Sequence, residues 1–258
     1  MIITLLSDFG DVYPASMKGV ILGIDPGVNI VDITHSIPRH DIRAGAFVLM
    51  TTAKYFPSGT VHIAVVDPGV GTDRRAIAVR TVSRDGETHY FTGPDNGLLI
   101  PAAKGIGQIE VYDISNKDLF RKNISGTFHG RDIFASVGAH ISKGVVIEMV
   151  GGHILDYKEL DFGIGEKKNG SIYCEIIYID TFGNIITNFP GKSAGLQYGD
   201  ELKISDKSVK FCSSYGFCEE GKPLALVGSH GFLEIAVNMG SAAKMFGKKQ
   251  GDQIIIST

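Results

Sequence analysis

The sequence predicts an α/β domain followed by a smaller all-β domain, and three observations carry this prediction. Short apolar stretches alternate with amphipathic helical patterns through about residue 140. Helical patterns nearly vanish in the last third of the chain, and a polar, glycine-rich segment, GIGEKKNGS at 163–171, lies between the two parts. Alternating strands and helices favour a mostly parallel sheet with helices on both faces. Short strands separated by turns favour a sandwich or barrel.

The first domain is predicted to span residues 1–165 and to begin directly with a strand. Asp25-Pro26-Gly27 and Pro57-Ser58-Gly59 are stop signals that close its first two helices. The apolar runs predict strands at Ile2–Leu6, Ile30–Ile33, Val61–Val66, Ala76–Val82, Tyr90–Thr92 and Ile109–Tyr112. Helical spacing of apolar residues predicts helices at Ser16–Ile24, Ile42–Phe56 and Arg131–Ile141.

The second domain is predicted to span residues 166–258, and the 163–171 segment, which crosses this boundary, is predicted to be the linker. Its apolar runs are short and punctuated by turns, which is typical of a small sandwich or barrel. The predicted strands are Ile172–Ile179, Glu201–Ile204, Ser208–Cys212, Pro223–Val227, Leu233–Val237 and Gln253–Ile256.

Composition excludes several classes of protein. Of the 258 residues, 43% are hydrophobic and 21% charged, as in soluble globular proteins. The net charge is −3 without long runs of like charge, so we expect no nucleic-acid partner. No stretch approaches the ~18 apolar residues of a membrane span, so we expect no membrane association and a cytoplasmic location. Cys174, Cys212 and Cys218 have no metal-ligand spacing and are interpreted as small buried hydrophobic residues.

The stretch VVDPGVGTDRR at 65–75 is the most informative part of the chain. Asp67 ends an apolar strand, where acids of α/β proteins meet ligands, and the glycines allow a close backbone approach. Arg74 lies seven residues later, across a turn that can fold it back towards the carboxylate. The same residues also fit an ordinary Asp-Pro-Gly turn pinned by an ion pair. His129 precedes a predicted helix, where a structural hydrogen bond is the alternative to catalysis.

Two further acids end predicted strands. Asp8 can accept both hydroxyls of a ribose, or it can cap a helix. Asp180, in the run DTFGN, fits either a binding loop or an Asx-type turn. The run PDNG at Pro94–Gly97 is interpreted as mainly structural.

Six motifs occur in one order along the chain, and together they resemble those of the S-adenosylmethionine (SAM) hydroxide adenosyltransferases. This family is related to the fluorinating and chlorinating SAM enzymes. The motifs are SDFG at 7–10, VVDPGVGTDRR at 65–75, PDNG at 94–97, TFHGRD at 127–132, DTFGN at 180–184 and GSHGFLEIAVN at 228–238.

The resemblance assigns Asp67, Arg74 and His129 to the handling of a reactive water. The fluorinating branch carries a serine in place of Gly130 and an aromatic hydroxyl residue in place of Asp67. An ionised carboxylate repels a nearby halide, so Asp67 favours water as the nucleophile. Either the carboxylate or the imidazole can take the proton of the water.

The resemblance also assigns the substrate contacts. Asp8 holds the ribose diol, and Asp11, in a loop about two residues shorter than usual, faces the methionine end. His40 and His230 stand where the halogenating branch has tryptophan and arginine. The second domain supplies the remaining contacts: Asp180 for the amino group, Phe182 and Tyr215 for the adenine faces, Asn184 for the adenine edge, Ser229 for the carboxylate, and Glu234 and Val237 for further side-chain and backbone groups.

The implied activity is hydrolysis of SAM to adenosine and methionine, with no metal and no redox cofactor. The resemblance implies a homotrimer, with each site between the α/β domain of one subunit and the β domain of the next. A halide-using adenosyl transferase and a non-catalytic sensor of SAM or adenosine are the alternatives. Metal-dependent hydrolysis is disfavoured because no histidine pair has a helical ligand spacing with an intervening acid, and no cysteine pair suits zinc.

Overall fold

The computed structural model describes residues 1–257, and the chain divides into two compact units after Asp161. The first unit is a seven-stranded sheet with helices, and the second is an all-β unit closed like a barrel. The predicted fold class, α/β followed by a smaller all-β part, is therefore confirmed. Within the described residues, no helix has both the length and the apolarity needed to cross a membrane.

The first unit combines helices with a sheet in the order β2-β1-β3-β5-β4-β6-β7. Its strands are β1 Ile2–Ser7, β2 Asn29–Thr34, β3 Val61–Val65, β4 Ala76–Val82, β5 Thr88–Pro94, β6 Gln108–Asp113 and β7 His153–Ile154. Its helices are α1 Pro14–Ile24, α2 Ile42–Thr52, α3 Ile100–Ile106 and α4 Ala135–Ser142, with a π-turn at Gly130–Phe134 before α4.

The prediction of a mostly parallel sheet is only partly right. Strands β2, β1, β3 and β5 pair in parallel, whereas β5/β4, β4/β6 and β6/β7 are antiparallel. The reason is the length of the connections. Only residues 83–87 join β4 to β5, and a parallel crossover needs a dozen residues or more.

Helices cover both faces of this sheet. Successive side chains of β1 point to opposite faces, and nearly all of them are buried, so both faces must be covered. Ile3 and Leu5 face one core, which also contains Met17 and Ile21 of α1 and several residues of α4. Leu6 faces the opposite side, where a Cβ added at Gly45 of α2 would contact its side chain. The end of β3, which Asp67 follows, is therefore buried between two packed layers.

Local signals explain the helix bounds. Pro14 occupies the first turn of α1, where the missing N–H costs nothing, so α1 begins before the predicted Ser16. Asp41 caps α2 by accepting the Ala44 N–H at 2.8 Å. The predicted helix Ile42–Phe56 is too long, because α2 ends at Thr52 and a 3-10 turn follows. Helix α3 is not among the predicted helices.

The second unit is an eight-stranded sheet in the order β10-β14-β13-β12-β11-β15-β9-β8, closed by an additional β10–β9 pairing. All its pairings are antiparallel except β12/β13. Its strands are β8 Glu166–Lys168, β9 Ser171–Ile179, β10 Ile185–Pro190, β11 Glu201–Ile204, β12 Lys207–Phe211, β13 Pro223–Val227, β14 Phe232–Val237 and β15 Gln253–Ser257, with one short helix, α5 Ala242–Phe246.

The linker predicted at 163–171 is wrong in its second half, because β8 lies within it and forms a hairpin with β9. Lys168 pairs with Ser171 across Asn169 and Gly170, whose φ angles are +51° and +73°. Two residues with positive φ are the connection that matches the twist of a hairpin, and Asn-Gly is its preferred sequence.

Candidate functional site

Asp67 and Arg74 form a buried ion pair at the end of β3. The Arg74 Nε donates to the two carboxylate oxygens at 2.9 and 3.0 Å, and Nη2 donates to Oδ2 at 2.5 Å. The side chains are only 4% and 9% exposed. Because bidentate charge-assisted hydrogen bonds fix both distance and angle, the carboxylate has one orientation relative to the strand end.

His129 completes this group through the same arginine. The Arg74 Nη2 lies 3.0 Å from His129 Nδ1. A guanidinium only donates, so Nδ1 must be the unprotonated nitrogen, and in the neutral ring the proton is on Nε2. Partial burial and the neighbouring Arg74 charge lower the pKa of His129, although Asp67 and Asp132 oppose this shift. The guanidinium also stacks over the Phe134 ring, with its Cζ 5.1 Å from the centroid.

The loop between Asp67 and Arg74 is folded tightly enough to bring the two residues together. The Val70 N–H donates to the Asp67 carbonyl, and the Thr72 hydroxyl donates to the Gly69 carbonyl at 2.7 Å. Gly71 has a φ of +78°, and a Cβ there would overlap the carbonyl of Gly126. Only glycine satisfies both conditions, so the turn chemistry predicted for this run also sets its packing.

An aromatic wall is formed by three rings, one of which, Phe128, immediately precedes His129 in the chain. Phe128 meets Phe9 and Tyr13 edge to face, with ring centroids 5.5 and 5.7 Å apart. These three rings line a cavity of about 360 Å³. Gly130 is buried against the wall, because a Cβ there would lie 3.1 Å from Phe9 Cε2 and 3.3 Å from Phe128 Cε2. A side chain at this position therefore has to displace a ring.

Asp8 and Asp11 flank the start of the loop after β1. The Asp8 Oδ2 accepts the backbone N–H of His40 at 2.9 Å, and His40 has a φ of +65°. The carboxylate therefore anchors the next loop along the sheet edge. Asp11 is exposed in the turn that precedes α1.

In the second unit, Asp180 and Asn184 close the turn between β9 and β10. The Asp180 Oδ1 accepts the N–H groups of Phe182 and Asn184 at 2.9 Å each. The Asp180 Oδ2 accepts the Asn184 side-chain amide, also at 2.9 Å. This Asx-type turn presents the Phe182 ring outward, 77% exposed, which is unusual for a large aromatic side chain.

Tyr215, His230 and Glu234 form a second polar group in this unit. The Tyr215 hydroxyl donates to Glu234 Oε1 at 2.7 Å, and His230 Nε2 lies 3.1 Å from Glu234 Oε2. His230 Nδ1 accepts the Phe232 N–H, so its Nε2 carries the proton that Glu234 accepts. Burial and the neighbouring Glu234 carboxylate raise the pKa of Tyr215.

Ser229 and Val237 differ in solvent exposure. Ser229 is exposed in the turn between β13 and β14. Val237 is 6% exposed, and its side chain belongs to the apolar core of the unit. The structure therefore brings Asp67, Arg74 and His129 into one cluster in the first unit, and Tyr215, His230 and Glu234 into one cluster in the second. Asp8 binds His40, Asp180 binds Asn184, and Val237 lies in the core.

Two residues near these clusters are not among the site residues predicted from the sequence. Phe128 lies in the TFHGRD run, and its place between two other aromatic rings could be suspected from the neighbouring histidine. Asn96 belongs to the PDNG run, whose pattern is interpreted as mainly structural. Its side-chain amide donates to the Val66 carbonyl at 2.8 Å, one residue before Asp67.

Comparison with known proteins places both units in one family. The profile of the SAM hydroxide adenosyltransferase N-terminal domain matches residues 3–151, and that of the C-terminal domain matches residues 174–255. The chain belongs to the SAM hydroxide adenosyltransferase family. The family predicted from the six motifs is therefore confirmed.

Individual members of the family align over nearly the whole chain. A Methanocaldococcus jannaschii protein named (R)-S-adenosyl-L-methionine hydrolase is 38% identical over 99% of this chain and 95% of its own. A Thermus thermophilus protein of the same name is 36% identical over 95% of each chain. A fluorinase from Actinopolyspora mzabensis is 29% identical over 99% of this chain and 97% of its own.

A solved structure gives the same result for the fold. The crystal structure of an uncharacterized conserved protein from Thermotoga maritima superposes with a TM-score of 0.90. It is 37% identical in sequence, and the comparison covers 100% of both chains.

Proposed function

We propose that this family member hydrolyses (R)-S-adenosyl-L-methionine to adenosine and L-methionine. The observation that carries the proposal is the buried Asp67–Arg74–His129 group at a strand end, in a chain whose relatives are named for this hydrolysis. The name of these relatives includes the (R) sulfonium, and we therefore propose this epimer as the substrate.

The chemistry requires little from the enzyme on the side of the leaving group. A sulfonium leaves as the neutral thioether of methionine, so no general acid is needed there. The slow step is in-line attack by a neutral water on ribose C5′. A water held on the C–S axis converts a bimolecular encounter into an organised one, and a proton acceptor contributes roughly 10²–10⁴-fold.

Asp67 is the proton acceptor in this proposal. The unprotonated nitrogen of His129 is already used by Arg74, so the ring can offer the water only the N–H of Nε2. The Asp67 Oδ1 accepts only the Nε bond from Arg74 and keeps a lone pair for the water. The water would donate to Asp67 and accept from His129, while Arg74 keeps the two groups in register.

The rest of the substrate would be held by the residues named from the family motifs. Asp8 would accept the ribose hydroxyls, and the exposed Phe182 ring would stack on the adenine, since an exposed aromatic face suits a planar base. Asp180 would supply negative charge for the methionine ammonium, and Glu234 would hold Tyr215 in place as the second stacking ring.

The proposed assembly is a homotrimer in which neighbouring subunits each contribute one of the two clusters to a site. A cytoplasmic location belongs to the same proposal. Both follow from the motif resemblance and the composition.

The decisive experiment is incubation of the purified protein with each sulfonium epimer, followed by chromatographic identification of the products. We expect adenosine and methionine in equal amounts from the (R) epimer, with no halogenated nucleoside when chloride is added. Tight binding of SAM without turnover would instead support a sensor, and 5′-chloro-5′-deoxyadenosine would support the halide-using alternative.

A further inference from the structure

The turn after β5 contacts both ends of the loop that carries Asp67 and Arg74. At the first end, the Asn96 Nδ2 donates to the Val66 carbonyl at 2.8 Å. The Asn96 Oδ1 accepts the Leu98 N–H at 3.1 Å, so both halves of the amide bind backbone and the orientation of the amide is fixed.

At the second end, Asp95 holds Arg75, the residue after Arg74. The Asp95 N–H donates to the Arg75 carbonyl at 3.0 Å, and the Arg75 Nε donates to Asp95 Oδ2 at 3.0 Å. Asp95 is 2% exposed, and its other oxygen accepts the Lys158 N–H at 2.7 Å. A buried carboxylate with such partners is held rigidly.

Arg75 also reaches outward. Its Nη1 donates to the Asp156 carboxylate at 2.7 Å, and its Nη2 donates to the Asp156 carbonyl at 2.5 Å. The guanidinium therefore ties the end of the loop to two other segments of the first unit. The Arg75 guanidinium binds Asp95 and Asp156, and the Arg75 carbonyl accepts Arg74 Nη1 at 3.5 Å. Arg75 therefore acts on Asp67 through the loop backbone and through the Arg74 side chain.

We propose that Asp95 and Asn96 are positioning residues for the hydrolysis. They act through the backbone of Val66 and through Arg75, and so set the placement of the Asp67 carboxylate relative to the attacking water. This inference rests on the proposed function, since it assigns a role within the same reaction. By this inference the PDNG run positions Asp67 in addition to forming a turn.

The physical reason is the composition of the loop. Between Val66 and Arg75 the chain contains Gly69 and Gly71, and glycine leaves the backbone more conformational freedom than any other residue. Fixing the two ends of such a segment adds to its internal hydrogen bonds in restricting the loop to one geometry. A displacement of about 1 Å in a reacting group can cost about 10²-fold in rate, so loss of one anchor should lower the rate without removing a substrate contact.

The sharpest test is Asn96→Asp, with Asn116→Asp as its matched control. Asp keeps the acceptor for the Leu98 N–H but turns an oxygen towards the Val66 carbonyl. Asn116 has the same bonding pattern, with its Nδ2 donating to the Met149 carbonyl at 2.9 Å and its Oδ1 accepting the Asp118 N–H at 3.1 Å. It lies outside both clusters. We expect kcat to fall at least about tenfold in N96D with KM unchanged, and to stay within about twofold in N116D.

A double-mutant cycle separates positioning from general stability. If Asn96 acts through Asp67, N96D should have no further effect on the residual rate of a protein that already carries Asp67→Asn. An equal fold-loss in both backgrounds would overturn the proposal. If the unmodified protein does not hydrolyse SAM at all, the proposed function fails first, and that outcome is recognised before any variant is compared.

Arg75→Ala, compared with Arg80→Ala, tests the anchor at the Arg75 end of the loop. This pair of variants also replaces the first test if N96D does not fold. Arg80 lies on β4 and pairs with Glu110 and Glu148 on the surface, so its loss should leave kcat unchanged. We expect R75A to lower kcat at constant KM. Equal activity of R75A and R80A would overturn the role assigned to Asp95.

Discussion

A single nitrogen of Arg74 contacts both of the other charged or titratable groups of its cluster. Nη2 lies 2.5 Å from Asp67 Oδ2 and 3.0 Å from His129 Nδ1. This shared donor determines the tautomer of the histidine, because the nitrogen that faces Arg74 cannot also carry a proton. In the proposed mechanism, this arrangement makes Asp67 the acceptor for the water proton and His129 a donor to the water.

This division of roles predicts different effects for two substitutions. Asp67→Asn removes the proton acceptor and should lower kcat by at least about 10²-fold. His129→Gln keeps a carbonyl oxygen for Arg74 and an N–H for the water, so its loss should be about tenfold or less. Single-turnover rates at saturating substrate measure both, with adenosine affinity as the control for binding. A larger loss in H129Q than in D67N would contradict the assignment.

Asp8→Ala should weaken substrate binding more than it slows the chemical step. Hydrogen bonds to a charged group contribute roughly 1.5–3 kcal/mol, which corresponds to about one to two orders of magnitude in affinity. Isothermal titration with adenosine and with 2′,3′-dideoxyadenosine measures the contact. The dideoxy compound should bind D8A and the unmodified protein equally well.

The control for this experiment is Asp41→Ala, because Asp41 caps α2 in the loop that Asp8 anchors. Loss of the Asp41 cap should lower the melting temperature but leave the affinity for adenosine unchanged. If D41A weakened adenosine binding as much as D8A, the contact would be structural and the ribose assignment would be wrong.

Chloride should not divert the product of the unmodified protein from adenosine. The Asp67 carboxylate repels an anion, and Gly130 offers no hydroxyl to bind one. A serine at Gly130 would press on Phe9 and Phe128, whose ring atoms lie 3.1 and 3.3 Å from the position of a Cβ. We therefore expect the variant D67Y/G130S to lose hydrolysis without gaining halide chemistry. Chromatography in concentrated chloride measures both products.

Gly130→Ala isolates the effect of crowding from that of the hydroxyl group. It should lower the hydrolysis rate by itself, because the same rings must move to admit a methyl group. Full activity in G130A would show that the aromatic wall adapts freely, and the loss in the double variant would then have to come from Asp67 alone.

Acid should destabilise the fold through a buried histidine pair. His62 and His89 are 0% and 2% exposed, with His62 Nε2 3.2 Å from His89 Nδ1 and His62 Nδ1 2.7 Å from the Thr4 hydroxyl. Burial, together with the charge that His89 would carry, lowers the pKa of His62 from 6.5 to about 3. Burial also lowers the pKa of His89.

The direction of the pH effect on stability follows from the number of protons that His62 binds in the folded and in the unfolded chain. Between pH 6.5 and about 3 the unfolded chain binds a proton at His62 that the folded chain does not, so the free energy of unfolding falls as the pH is lowered. The slope is about 1.4 kcal/mol per pH unit for one such group. Urea unfolding from pH 7 to pH 4 should show a smaller slope in His62→Gln. His153→Gln, at an exposed position on β7, should keep the original slope.

If each site is formed by two subunits, two inactive variants should restore activity when they assemble together. Asp67→Asn disables the first-unit cluster, and Asp180→Asn removes the charge proposed for the methionine ammonium in the second. Co-expression in one cell should produce mixed trimers with some sites free of both substitutions. Activity should therefore exceed the sum of the separate variants. The double variant D67N/D180N expressed alone is the control, and no recovery on co-expression would argue against sites shared between subunits.

The fold class is predictable because it depends on local patterns. Apolar runs and turn signals place most strands, and Asp25-Pro26-Gly27 marks the end of α1 within a residue of the structure. The Asn169-Gly170 hairpin is also a strong local signal, although its polar surroundings favour interpretation as a linker. Strand β10 is absent from the predicted strands because its residues Ile185–Pro190 adjoin a motif that is interpreted only for binding.

Motifs and periodicity are properties of neighbours along the chain, and they were therefore sufficient to predict the family, most of the strands and helices, and the residues at the strand ends. Which strands pair in parallel became clear from the three-dimensional structure. The structure also showed that one nitrogen of Arg74 joins Asp67 to His129, and that Asn96 holds Val66. These contacts span 7, 55 and 30 positions of sequence. Their geometry depends on how β3, β5 and the π-turn pack, which no local pattern encodes.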